Sequence, residues 1–281
     1  MKYQHDEELL KMTRDVLSMS EDDFAENAPY FTLDIADKDM AEEDCILVLG
    51  LNPAGDWLDS LREQSGQTFF YYIGNKNAEC DAIIDGNKIM ENKNDKERPR
   101  RWRWTYKKYY KPIFDLAAQT VGNVKWGWCN REWEDIKEEI KSIAQQKEFE
   151  IIKESETDLE KFYNKHKKGT TIYIGDMFYY HDTDSNRLEK FLDPKQLEKH
   201  CVAALTKHIE ILRKHNKNIR FVYINNAYVS KWLCGENTKT CDTINNVPIF
   251  FGGMLSMGID TFSRQRLINE IKSIIYNNEK E

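Results

Sequence analysis

Four short apolar runs constrain this chain more than any other feature. Residues 45–49, 171–175, 220–224 and 247–251 are rich in Ile, Val, Leu, Phe and Tyr, and each stops near Gly, Asn or Asp. Runs of that length bounded by turn residues read as buried strands. Patterns of helical period separate them. The segment DPKQLEKHCVAALTKHIEILRKHN opens with Asp193 as a helix N-cap and Pro194 at the first helical position. Leu197, Cys201, Leu205, Ile209 and Leu212 make one stripe along it. SRQRLINEIKSII repeats the pattern through Leu267, Ile268, Ile271, Ile274 and Ile275. Strands alternating with helices imply parallel pairing. The spacing therefore predicts a three-layer α/β/α fold around a central, mainly parallel four-stranded sheet.

A chain of 281 residues has room for one generous domain, and residues 1–281 read as a single α/β domain. Residues 1–40 read as a helical extension. Residues 131–168 hold eleven acids, nine bases and Ile136, Ile140 and Ile143 at helical spacing. They read as a charged helical insertion with a solvated face. No apolar run approaches the roughly 18 residues of a membrane span. The N-terminal MKYQHDEELLKMTRDVL lacks the apolar core of a secretory signal. Six dispersed cysteines without a CxxC pair read as reduced thiols of a cytoplasmic protein rather than as metal ligands. No metal, cofactor, membrane or obligate protein partner is expected.

The net charge of −7 hides an asymmetry. Residues 88–111 carry ten Lys/Arg against three acids, which is +7 and leaves −14 for the remainder. Within RPRRWRWTYKKYYKP, Arg98, Arg100, Arg101, Arg103, Lys107, Lys108 and Lys111 are interleaved with five aromatic residues. Cations neutralise phosphates, and rings offer stacking faces worth about 1–3 kcal/mol per base. The stretch reads either as a nucleic-acid contact or as a helix start with rings facing the core.

Parallel strands deliver their carboxyl-terminal loops to one edge, where ligands bind on open sheets. Those loops are Gly50-Leu51-Asn52-Pro53-Ala54-Gly55-Asp56, Gly175-Asp176-Met177-Phe178, Asn225-Asn226-Ala227 and Gly252-Gly253-Met254-Leu255-Ser256. Each joins small residues to a polar or flexible one. The phosphate-loop GxxxxGK[ST], the dinucleotide GxGxxG, the GxSxG elbow and HExxH are all missing.

The strand order, LVLGLNPAGD near the start and VPIFFGGMLSMGIDTFSRQRL near the end resemble the uracil-DNA glycosylase superfamily. Gly50, Leu51, Asn52 and Pro53 match that family's first motif, and residues 252–256 stand where its second motif precedes a closing helix. The resemblance covers roughly residues 40–125 and 170–276. It implies an enzyme that flips a damaged or deaminated base, such as uracil, from single- or double-stranded DNA and hydrolyses its N-glycosidic bond in base-excision repair. By that resemblance Asn52 holds the attacking water. Asp176, Phe69, Phe70, Gly50 and Pro53 contact the base. Gly253, Met254 and Ser256 join the basic residues Arg98, Arg100, Arg101, Arg103, Lys107 and Lys108 on DNA.

Two departures stand out. Where the family often has a histidine donating to the base oxygen, this chain has Gly252-Gly253-Met254. Where it often has a base-reading Asn, this chain has Asp176. An ionised carboxylate only accepts, so the base read need not be uracil; Asp176 as a buried structural carboxylate is the other reading. Phe69 and Phe70 equally suit a core position. Two further classes therefore stay open: a catalytically inactive nucleic-acid-binding protein of the same fold, and a small-molecule hydrolase or nucleotide-binding protein using the strand-end cleft.

Overall fold

Strand β1 (Glu43–Gly50) buries every residue from Cys45 to its end. Cys45, Leu47 and Leu49 join one apolar cluster, whereas the equally buried Ile46 and Val48 face the other way, the period of two imposed by a pleated strand. A strand buried on both faces belongs inside a parallel sheet.

The computed structural model describes residues 4–25, 32–33, 35–51, 90–92, 110–146, 149–151, 153–180, 188, 191–234, 240–255 and 259–277. Around β1 its elements are α1 (Gln4–Leu17), α2 (Glu21–Ala25), β2 (Met90–Asn92), α3 (Lys111–Val121), β3 (Val124–Trp126) and α4 (Trp133–Gln146). They continue with β4 (Phe149–Ile151), α5 (Lys153–His166), β5 (Thr170–Asp176), α6 (Pro194–Lys214) and β6 (Lys217–Asn225). The last are α7 (Ala227–Cys234), β7 (Cys241–Ile244), β8 (Val247–Gly252) and α8 (Thr261–Asn277).

Among the described residues, six strands form one sheet in the order β3-β5-β1-β6-β8-β7. β1 with β6, β6 with β8, and β3 with β5 run parallel, while β7 and β8 run antiparallel. The four strands expected from sequence are β1, β5, β6 and β8. The expected count of four is corrected to six by β3 and β7. β3 has three residues, too few for a periodic signal, and β7 is a half-exposed edge strand without an apolar run. Asn245 and Asn246, at φ 51° and 60°, make the two-residue turn that joins β7 to β8. The chain is thus α/β with a mostly parallel central sheet, consistent with three layers.

Contacts divide the chain into two compact units. The first comprises Met1–Glu63, Tyr173–Met254 and Ile259–Glu281. On one face of its strands, Leu9 and Leu10 of α1, Leu197, Cys201, Leu205, Ile209 and Leu212 of α6, and Val229 and Trp232 of α7 complete the apolar cluster. The predicted stripe of α6 is therefore its buried stripe, and each such Leu or Ile contributes about 1.5–3 kcal/mol on burial. Asp193 caps α6 by accepting from the Gln196 N–H at 2.9 Å, and Gln196 returns the bond to the Asp193 N–H at 3.0 Å. Outside that cluster lie Ile268, Ile271 and Ile275 of α8, and the edge-to-face pair Phe221–Phe250 at 5.7 Å.

The second unit comprises Gln64–Ile172 and Leu255–Gly258. Its described core is aromatic: Trp126 and Trp128 are buried, Phe114 lies 5.5 Å from Trp126, and Tyr163 stacks on Trp128 at 6.2 Å. The Tyr163 hydroxyl donates to the Arg131 carbonyl at 2.8 Å. Residues 131–168 hold the expected helices, α4 and α5, and also β4, which pairs antiparallel with β2.

Candidate functional site

The carboxyl ends of four neighbouring strands bring Asp176, Gly50, Asn225 and Gly252 into one row. Tyr173, Leu49, Ile224 and Ile249 all belong to the α1–α6–α7 cluster. Alternation therefore puts Asp176, Gly50, Asn225 and Gly252 on the opposite face. The register sets Leu49 against Ile224 and Asn225 against Gly252. Gly50 and Leu51 accept from the Met177 and Phe178 N–H groups at 3.1 and 2.9 Å, which brings Asp176 beside Gly50. Read across the sheet, polar and side-chain-free positions alternate: Asp, Gly, Asn, Gly.

Asp176 is half-buried and ends β5. Burial disfavours its charged form and raises its pKa to about 7. Among the described residues its carboxyl group has no hydrogen-bond or ion-pair partner, while its N–H donates to the Tyr179 hydroxyl at 3.2 Å. Near neutral pH the group therefore exists as both acid and carboxylate. As the acid it both donates and accepts; as the carboxylate it only accepts.

Gly252 is fixed from both sides. Its N–H donates to Ser230 Oγ at 3.1 Å, and the Ser230 hydroxyl donates to its carbonyl at 2.7 Å. A Cβ at Gly252 meets Tyr223 Oη at 2.2 Å, because that hydroxyl passes over the glycine to donate to the Gly253 carbonyl at 2.9 Å. Gly253 itself is open, with nothing nearer a Cβ than Ala227 at 3.9 Å.

Of the residues singled out in the sequence, Gly50 and Asp176 are brought together, and Gly253 and Met254 follow β8 and are half-buried. Asn52, Pro53, Phe69, Phe70, Arg98, Arg100, Arg101, Arg103, Lys107, Lys108 and Ser256 lie outside the described residues. The described end of the basic-aromatic stretch is a helix start: Tyr110 is buried with its ring 6.1 Å from Trp126, and Lys111 pairs with Asp115 at 2.5 Å. Sequence reasoning named the Asn225 loop without giving Asn225 a role. Its signal was its place as the last residue of an apolar run.

A cavity of about 350 Å³ also lies in the first unit, lined by Glu8, Lys207, Lys214, His5 and His215 among others. Its Glu8 and Lys207 pair with each other. Among the described residues no cluster of three or more His, Cys, Asp or Glu is placed to hold a metal ion. Likewise, no described helix is long and apolar enough to cross a membrane.

No protein-family model matches the chain, and no curated protein matches it.

Proposed function

We propose that this chain is an N-glycosyl hydrolase of the uracil-DNA glycosylase type, acting on a base flipped out of DNA. One observation carries the reading: Asp176, whose carboxyl pKa burial raises to about 7, ends its strand beside Gly50, the glycine that opens the GLNP motif. In the reaction, water adds to the sugar C1′, the C1′–N bond breaks toward the base, and the base leaves with a proton. The transition state is oxocarbenium-like, so a group is needed to orient water and another to meet charge on the departing base. Asn52 orients the water; a neutral amide aligns it without removing its proton. Asp176 meets the base edge, as an acid toward a developing anion and as a carboxylate toward an exocyclic amine. Arg98, Arg100, Arg101, Arg103, Lys107 and Lys108 hold the phosphates.

A second reading, a nucleic-acid-binding protein of the same fold without chemistry, draws on Gly252-Gly253-Met254, which offers no histidine to the base oxygen. One panel separates the two. Purified protein is incubated with single- and double-stranded oligonucleotides carrying uracil, hypoxanthine, xanthine or mismatches, and abasic sites are scored. Abasic sites with any substrate support the hydrolase. Binding without abasic sites supports the second reading, and neither binding nor cleavage overturns both.

A further inference from the structure

The loop after β5 is held by two histidines of α6. The His200 ring donates from Nε2 to the Met177 carbonyl at 2.8 Å, and its ring stacks on Phe178 at 4.3 Å. His208 Nδ1 lies 2.6 Å from the Ala204 carbonyl. A carbonyl only accepts, so Nδ1 carries the proton and Nε2 is left as an acceptor. Tyr179 Oη lies 2.6 Å from that Nε2 and donates to it, while its oxygen accepts from the Asp176 N–H at 3.2 Å. Burial lowers the pKa of both histidines, that of His208 to about 4, so the neutral tautomer persists at neutral pH. From the other side the Tyr179 N–H donates to Thr13 Oγ1 at 3.0 Å, and Thr13 passes the bond to the Leu9 carbonyl.

Gly175 makes this arrangement possible. A Cβ there stands 2.7 Å from Tyr179 Oη and 2.9 Å from His208 Nε2, so any side chain displaces the pair. Tyr179 thus folds back under the last peptide of β5, the strand it follows, on the face opposite the Asp176 carboxyl group.

We infer that Tyr179 and His208 are positioning residues: by fixing the Asp176 peptide from beneath, they hold the Asp176 carboxyl group beside Gly50. The role given to that carboxyl group rests on the function proposed above, but the clamp itself is read without any substrate. In the full chain, amide hydrogen exchange of Asp176 tests it directly. The Asp176 N–H is protected to the level of the β5 interior; exchange at the rate of an exposed loop overturns the inference.

Three variants extend the test, with carboxyl chemical shifts followed through a pH titration. Tyr179→Phe and His208→Leu quicken Asp176 exchange by about tenfold, the factor for one lost hydrogen bond. Both bring the Asp176 pKa down by about one unit or more as the peptide relaxes toward water. His208→Gln, whose amide can still accept from Tyr179, keeps the parent pKa. A parent-like pKa in all three, or in Tyr179→Phe alone, overturns the clamp. Oligonucleotide cleavage stays a separate readout: a pKa that responds in a chain that cleaves nothing retains the clamp and removes the hydrolase, and the reverse result removes only the clamp.

Discussion

Lys217 Nζ lies 2.8 Å from Asp39 Oδ1 with no exposed side-chain surface of its own, at the sheet edge opposite Asp176. Glu43 Oε1 completes the pair at 3.0 Å, the Ala41 carbonyl accepts a third bond, and the Tyr173 hydroxyl donates to Glu43 at 3.3 Å. The two edges of one parallel sheet therefore treat charge differently. At the amino ends every cation and carboxylate named is matched by a neighbour. At the carboxyl ends Asp176 keeps a carboxyl group that no described residue engages. Matched charge is what a fold needs; a carboxyl group held without a mate is what a ligand can use.

Replacing Lys217 by Met removes the buried ammonium that the half-buried Asp39 and Glu43 share. The expected loss is about 3 kcal/mol, the lower end of the range for breaking a buried ion pair. Urea unfolding of parent and variant measures it; a loss under about 1 kcal/mol contradicts the account.

Asp176 and His208 oppose one another in pH dependence. The Asp176 pKa is raised to about 7, so from about pH 4 upward to 7 the folded state holds more protons than the unfolded chain. Its contribution to stability falls as pH rises through that window. His208 is lowered to about 4, so its folded state holds fewer protons between about 4 and 6.5, and stability rises with pH there. His5 and His200 shift in the same direction as His208. Asp176→Asn removes only the first effect. The variant's stability relative to the parent should grow by about 2 kcal/mol between pH 5 and 7, as read from denaturant melts at fixed ionic strength.

Gly252→Ala places a methyl group against Tyr223 Oη. Overpacking of this kind costs about 1–3 kcal/mol. Tyr223→Phe in the same chain removes the nearest clashing atom and should recover part of the loss, whereas equal losses in single and double variants point to another cause.

Within the proposed function, Asn52→Ala should slow excision by about 100-fold or more, the scale of losing one positioned reactant, while oligonucleotide affinity stays near that of the parent. Replacing Arg100, Arg101 and Arg103 by Ala should instead weaken binding and flatten its salt dependence by about 0.7–0.9 per lost phosphate contact. Fluorescence anisotropy over a salt series separates the two effects.

The strands with apolar interiors were legible in the sequence because burial on both faces leaves an unbroken run. β7 was not, since the adjacent Asp242 and Thr243 are exposed on both of its faces and break any apolar alternation. An Asn-Asn pair signals a two-residue hairpin only where both flanking segments read as strands, and of those beside Asn245-Asn246 only β8 has an apolar run. At the site, Asp176 could be named from its place after TIYIG. Tyr179 and His208 could not, since their meeting depends on α6 returning across Gly175, and no local pattern encodes that approach. His208 lies close to the apolar stripe of α6, where a histidine reads as filler until its partner is known.

The short hairpin strand β7 has a consequence for how the molecule behaves in concentrated solution. β8 is uncharged and rich in Ile and Phe, and apart from Pro248, which has no N–H to offer, its outer hydrogen-bonding edge would accept strands from other molecules. β7 occupies that edge along the pairs from Cys241–Phe250 to Ile244–Val247, and itself offers the outside only four residues, one of them an aspartate. It acts as a selvage on the sheet, a woven border that keeps the cloth from joining another. Among the described residues, one turn of two asparagines thereby reduces this edge of the sheet to a strand of four residues.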